Sequence, residues 1–175
     1  FDQAVQISGG GEIGLTPAML EKEIQLQTAV MSSISYMGFN MLDSVIGGTT
    51  EQARQLRLAL AIAIDYEEYI AIFMNGRGVA AQGIIPPEIF GYQSGEQGLN
   101  KTIYDWQEGR ARRKPLAVAQ QLMQEAGYAQ GIDPKTGEAL ILYLDTAATG
   151  PDDRARLNWY RKQFAKLGIQ LVIRA

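Results

Sequence analysis

Cysteine and histidine are both missing from the 175 residues of this chain. Without thiols it holds no disulfide and no cysteine nucleophile, and without imidazole it has no histidine general base; zinc sites of the Cys/His type are excluded as well. A cysteine-free sequence fits an oxidising compartment without requiring one. Long apolar runs are also lacking. Arg, Asp or Gly interrupts each hydrophobic stretch well before the roughly 20 residues that a membrane-spanning helix needs. No sign of charge dominates: the net charge is -3, too small to point to nucleic acid or an anionic membrane surface. The glycine-rich stretches Gly9–Gly14 and Gly76-Arg77-Gly78 lack both the Lys-Ser/Thr of a phosphate loop and a full dinucleotide fingerprint. No internal repeat, low-complexity tract or signal peptide is visible.

What remains is the composition of an ordinary globular domain, with 46% hydrophobic and 20% charged residues. One domain and a sizeable core are expected. The first sixteen residues read as a loop around Gly9-Gly10-Gly11. Thr16 and Pro17 suit the N-cap and first turn of a helix reaching Leu26. Residues 28–41 read as a strand containing Val30, Ile34, Tyr36 and Phe39. A loop over 43–50 precedes a helix beginning near Thr50, with Thr49 and Gln52 spaced as a capping box. Leu56, Ala59, Leu60, Ala63 and Ile64 recur at helical spacing and form a core face, which Leu58 and Ile62 widen. Asp65 and Glu68 restart a helix, and Gly76 ends it.

Residues 76–113 read as one long connection. A helix opens at Pro115, carries Ala119, Leu122, Met123 and Ala126, and stops at Gly127. Asp133–Gly137 is a turn. Ala139–Leu144 is continuously apolar, as in a central strand covered on both faces. A helix capped by Asp152 or Asp153 bears Leu157, Tyr160, Phe164 and Leu167 and closes at Gly168; a strand follows at Ile169–Ile173. This strand–helix–strand unit has the length of a crossover between parallel strands, so the architecture is α/β with a mixed or parallel sheet flanked by helices.

Five segments stand in a particular order: Tyr36–Asn40, Arg57–Asp65, Gly76–Pro87, Ala119–Tyr128 and Phe164–Val172. Together they resemble the peptide and nickel solute-binding proteins of ABC importers, the extracellular solute-binding family 5. The second resembles the family's Arg-x-Ala-Leu-x-x-Ala-Ile-Asp helix, and the third its Gly-x-Gly-x-x-Ala-x-x-x-x-Pro-Pro connection. The chain departs from the family at 41–48, where a Pro-rich stretch is common, and at Tyr66, where Arg or Lys is common.

The resemblance implies one lobe of a two-lobed, periplasmic-binding-protein-like fold of the class II type. The whole of 1–175 would be a single domain, a partial second lobe, with the first lobe and a C-terminal part missing. It implies capture of a small peptide or other small solute and delivery to an ABC permease in the membrane. The protein would be a periplasmic or extracellular monomer, membrane-associated through that permease, with no enzymatic activity, cofactor, metal or nucleic-acid partner.

Tyr36 and Asn40 end the expected strand and are candidates to line the solute cleft; alternatively Asn40 bonds the following loop and Tyr36 packs. Gln82 and Ile85, stiffened by Pro86-Pro87, are candidates to face the solute, or belong to a rigid surface crossing. Arg57 reads as an intra-lobe pairing residue, and the Arg110, Arg112, Arg113 and Lys114 cluster as a solvated helix entrance. Two rivals remain open. A peptide- or glycoside-acting hydrolase would need a carboxylate pair or a Ser-Lys arrangement, and no spacing suits either. A ligand-free interaction module is the other.

Overall fold

The computed structural model describes residues 3–7, 13–147 and 150–174. In chain order the elements are β1 (Val5–Ile7), β2 (Ile13–Leu15), α1 (Pro17–Leu20), α2 (Glu51–Ala63), α3 (Tyr66–Phe73), β3 (Tyr104–Gln107), β4 (Arg110–Arg113), α4 (Leu116–Glu125), β5 (Ile141–Asp145), α5 (Pro151–Ala165) and β6 (Gln170–Arg174). Short 3-10 turns lie at Gly95–Gly98 and Ala129–Gly131. Contacts group the chain into two compact units, residues 1–34 with 66–93 and residues 35–65 with 94–175.

The second unit holds the core. Helix α2 starts where Thr50 Oγ1 accepts the Ala53 backbone N–H at 3.3 Å, one residue later than the expected box. Gln52 instead donates from its side-chain amide to the Ala126 carbonyl at 2.8 Å, tying α2 to the end of α4. Leu56, Ala59 and Leu60 are fully buried, as are Ala119 and Met123 of α4. This is the interlocking expected when two apolar helix stripes meet, and each large side chain so buried contributes about 1.5–3 kcal/mol. Gly127, with φ +81°, ends α4 in the left-handed conformation.

Between α2 and α4 the structure corrects the expected long connection. Strands β3 and β4 form an antiparallel hairpin, Tyr104 opposite Arg113. Glu108 and Gly109 both take positive φ, +51° and +76°, as a two-residue turn that follows the strand twist requires. Arg110, Arg112 and Arg113 therefore belong to β4, and of the cluster only Lys114 stands at the entrance of α4, just before its N-cap Pro115. Arg113 uses its guanidinium inward: it donates to the Ala61 and Ile62 carbonyls at 3.1 and 3.3 Å and to Tyr104 Oη at 2.7 Å. Carbonyls at the end of α2, which have no partner within the helix, are satisfied in this way.

The β5–α5–β6 crossover matches expectation: β5 and β6 pair in parallel, Leu142 opposite Leu171 and Asp145 opposite Arg174. α5 packs on β6, burying Trp159, Gln163 and Phe164. The helix begins earlier than expected, with Gly150 and not Asp152 or Asp153 as N-cap, and the Asp153 carboxylate, three residues on, accepts the Gly150 N–H at 2.9 Å. Covering of β5 is one-sided, contrary to the expectation of a strand enclosed on both faces. Leu140 and Leu142 face the core while Ile141 and Tyr143 are exposed. A run of apolar residues cannot by itself report which face meets a neighbour.

The first unit is thin; none of its described residues is buried. Residues 3–15 are not simply a loop, since β1 and β2 pair antiparallel, Val5 opposite Leu15; the Gly9–Gly11 stretch lies outside the described residues. Helix α1 ends at Leu20, not Leu26, and the Thr16 hydroxyl donates to the Gln3 carbonyl at 3.1 Å rather than capping it. The expected 28–41 strand is absent. Those residues run without regular hydrogen bonding and are mostly exposed, because among the described residues no neighbouring strand offers the ladder that an extended chain needs. At the end of α3, Gly76 (φ +71°) donates its N–H to the Ile70 carbonyl at 3.0 Å, as expected for a left-handed helix stop.

Candidate functional site

In a parallel pair both strands finish at the same edge, and in α/β folds ligands gather beyond that edge. Here the register sets Asp145 and Arg174 directly opposite each other at the carboxyl ends of β5 and β6. Neighbours in register share a face, so the two side chains meet. Arg174 Nε donates to Asp145 Oδ1 at 2.7 Å and Nη2 to Oδ2 at 2.8 Å, a bidentate pair. The guanidinium also lies over the Tyr143 ring, 4.6 Å from its centre. The Thr146 N–H donates to the Arg174 carbonyl at 2.9 Å and carries the ladder one step past the strand.

Asp145, Thr146, Ala147 and Arg174 border a shallow, open depression of the surface. The edge therefore presents a paired carboxylate and guanidinium, with the Tyr143 ring beside the guanidinium. Among the described residues no group of three or more acidic side chains is placed to hold a metal ion.

The four residues expected from the sequence fall elsewhere. Tyr36 and Asn40 lie in the second unit but end no strand, which corrects the expected setting of both. The Tyr36 side chain is 83% exposed. Asn40 turns its amide oxygen onto the next loop and accepts the Leu42 N–H at 3.0 Å. Gln82 and Ile85 lie in the first unit. Gln82 Nε2 donates to the Ala80 carbonyl at 3.4 Å, and Ile85 is partly exposed. Tyr36 and Asn40 form one pair on the chain, Gln82 and Ile85 another. Arg57 donates to the Ile46 carbonyl at 2.6 Å, the internal role expected of it.

Tyr143, Asp145 and Arg174 are not among the residues expected from the sequence. A signal for the last two was present: each is the first charged residue after an apolar run, and the two runs flank one helix. Reading the run ends as a pair required the parallel register.

The described chain is α/β, with charged residues at the ends of a parallel strand pair. Its sequence matches the family model of the bacterial extracellular solute-binding proteins, family 5 Middle, over residues 6–175, and the chain belongs to that family. Among solved structures it is similar to the ABC transporter-associated periplasmic binding protein DppA from Helicobacter pylori in complex with the peptide STSA. Identity is 23% and the TM-score 0.46, with 72% of this chain and 20% of that chain covered. The chain thus spans about one fifth of that protein's length. No curated protein matches it.

Proposed function

We propose that this protein captures short peptides outside the cytoplasmic membrane, in the periplasm or its equivalent, and delivers them as a monomer to an ABC permease. In this reading residues 1–175 form part of the second of two lobes, and a peptide held between the lobes stabilises the closed form because it binds that form better than the open one. The solute leaves unchanged, and no reaction is catalysed.

The observation that carries the reading is the strand-end edge of a family member, where the mutually paired Asp145 and Arg174 give a polar surface without net charge at the place where α/β folds bind ligands. A peptide suits such an edge, since its uncharged backbone amides need both donors and acceptors. Tyr36, Asn40, Gln82 and Ile85 remain proposed solute contacts. The test is mass spectrometry of the small molecules released from the full-length protein after native purification. Short peptides are expected. A sugar, an opine or a nickel complex in their place would overturn the peptide assignment.

A further inference from the structure

We propose that the Asp145–Arg174 pair is a charge filter: it keeps the wall at the strand ends electrically neutral, so that the wall accepts an uncharged part of the solute and rejects a charged one. This rests on the reading of the strand-end depression as a solute-binding wall.

The geometry behind it is specific. Nε and Nη2 of Arg174 are both directed at Asp145, at 2.7 and 2.8 Å, and one face of the guanidinium is turned to the Tyr143 ring. Both oxygens of Asp145 are in turn occupied by the same guanidinium. The two charges cancel within a single register pair. Yet the pair is not built to hold the strands together. Both side chains are largely exposed, at 57% and 73%, and an ion pair so placed contributes little to stability.

Its consequence appears once a solute covers it and water leaves. A neutral pair can then be buried whole, whereas an added charge on the solute meets two charges that already cancel and loses its hydration. Rejection by an unmatched buried charge is an effective way to discriminate between otherwise similar ligands. Removing one partner inverts the filter. Without the Asp145 charge, Arg174 stands alone and favours an anionic side chain. Without the Arg174 charge, Asp145 favours a cationic one.

The experiment uses the full-length protein and three tripeptides, Ala-Ala-Ala, Ala-Glu-Ala and Ala-Lys-Ala, with affinities measured by calorimetry. The wild type is expected to bind Ala-Ala-Ala most tightly. Asp145→Asn should shift preference toward Ala-Glu-Ala by roughly tenfold, and Arg174→Gln toward Ala-Lys-Ala by a similar factor. The double variant, neutral again, should prefer the uncharged peptide. Both sites are exposed, and circular dichroism verifies that each variant is folded. If the wild type binds the peptides but the single variants keep its ranking, the filter is wrong while the peptide reading stands. If the wild type binds none of the three, the reading of this wall as a peptide site falls and the filter with it.

Discussion

Gly168 and Gln130 approach so closely that a Cβ on the glycine would run into the Gln130 carbonyl oxygen. Gly168 also has φ +76°, a conformation that L side chains adopt only with strain. It closes α5 and leads the chain into β6, the strand that carries Arg174 opposite Asp145. Gly168→Ala should therefore lower stability by roughly 2–4 kcal/mol, combining left-handed strain with a clash against backbone that cannot swing aside. Urea denaturation of the purified chain measures it. Gly137→Ala is the control: φ is similar at +73° but nothing lies within 4 Å, and a loss of only about 1 kcal/mol is expected. Equal losses at the two sites would contradict the close-approach argument.

The α2–α4 seam should dominate stability. Leu56 and Leu60 are wholly buried, while Leu42 is 95% exposed. Leu56→Ala or Leu60→Ala should cost about 2–5 kcal/mol and Leu42→Ala less than about 0.5 kcal/mol. Thermal and urea unfolding of the three variants side by side decides the matter.

Arg113 should matter for shape rather than for charge. Its donors serve two carbonyls of α2 and the Tyr104 hydroxyl. Arg113→Ala leaves these acceptors without that donor, and a loss of roughly 1–3 kcal/mol is expected. Arg113→Lys keeps the charge but not the fork of donors and should recover only part of it. Full recovery by lysine in a denaturation curve would mean that charge alone was needed.

Stability should fall in alkaline solution in part through Tyr128. Burial, followed by the neighbouring carboxylates of Asp133 and Asp43, raises its phenol above the ordinary value. A raised folded-state value means that the native state binds the proton more tightly than the unfolded chain. The contribution is therefore complete below about pH 10, where the unfolded phenol titrates, and disappears as pH rises through the higher native value. Unfolding free energies of wild type and Tyr128→Phe, measured from pH 8 upward, should converge in slope at lower pH and part above about pH 10, with the wild type declining faster. Parallel profiles throughout would rule the effect out.

Thr50→Ala removes the oxygen that accepts the Ala53 N–H and should cost about 1 kcal/mol, with a matching drop in helical circular dichroism on mild heating. Thr49→Ala, one residue before the cap, should be close to neutral, although the sequence spacing alone had favoured Thr49 and Gln52 as the capping pair.

Elements that carry their own signal were legible. The α2 stripe of Leu56, Ala59, Leu60 and Ala63 repeats at helical spacing, and glycine stops stand at Gly76, Gly127 and Gly168. The β5–α5–β6 crossover follows from two apolar runs around one amphipathic segment. Elements that depend on a neighbour were not. Residues 28–41 have side chains suited to a strand but no strand to pair with among those described. The β3–β4 hairpin hid in a stretch read as a connection, because Glu108-Gly109 is a weaker turn signal than Asn-Gly or Asp-Gly. Tyr36, Asn40, Gln82 and Ile85 stay proposed solute contacts, and the structure adds the strand-end depression bordered by Asp145, Thr146, Ala147 and Arg174.

By itself the sequence determined the family, the α/β class and the face that α2 buries, since periodicity, helix stops and the order of motifs are local properties of the chain. Only the tertiary structure decided that Asp145 and Arg174, 29 residues apart, end as direct partners over the Tyr143 ring. Their meeting is a matter of strand register, which no local pattern records.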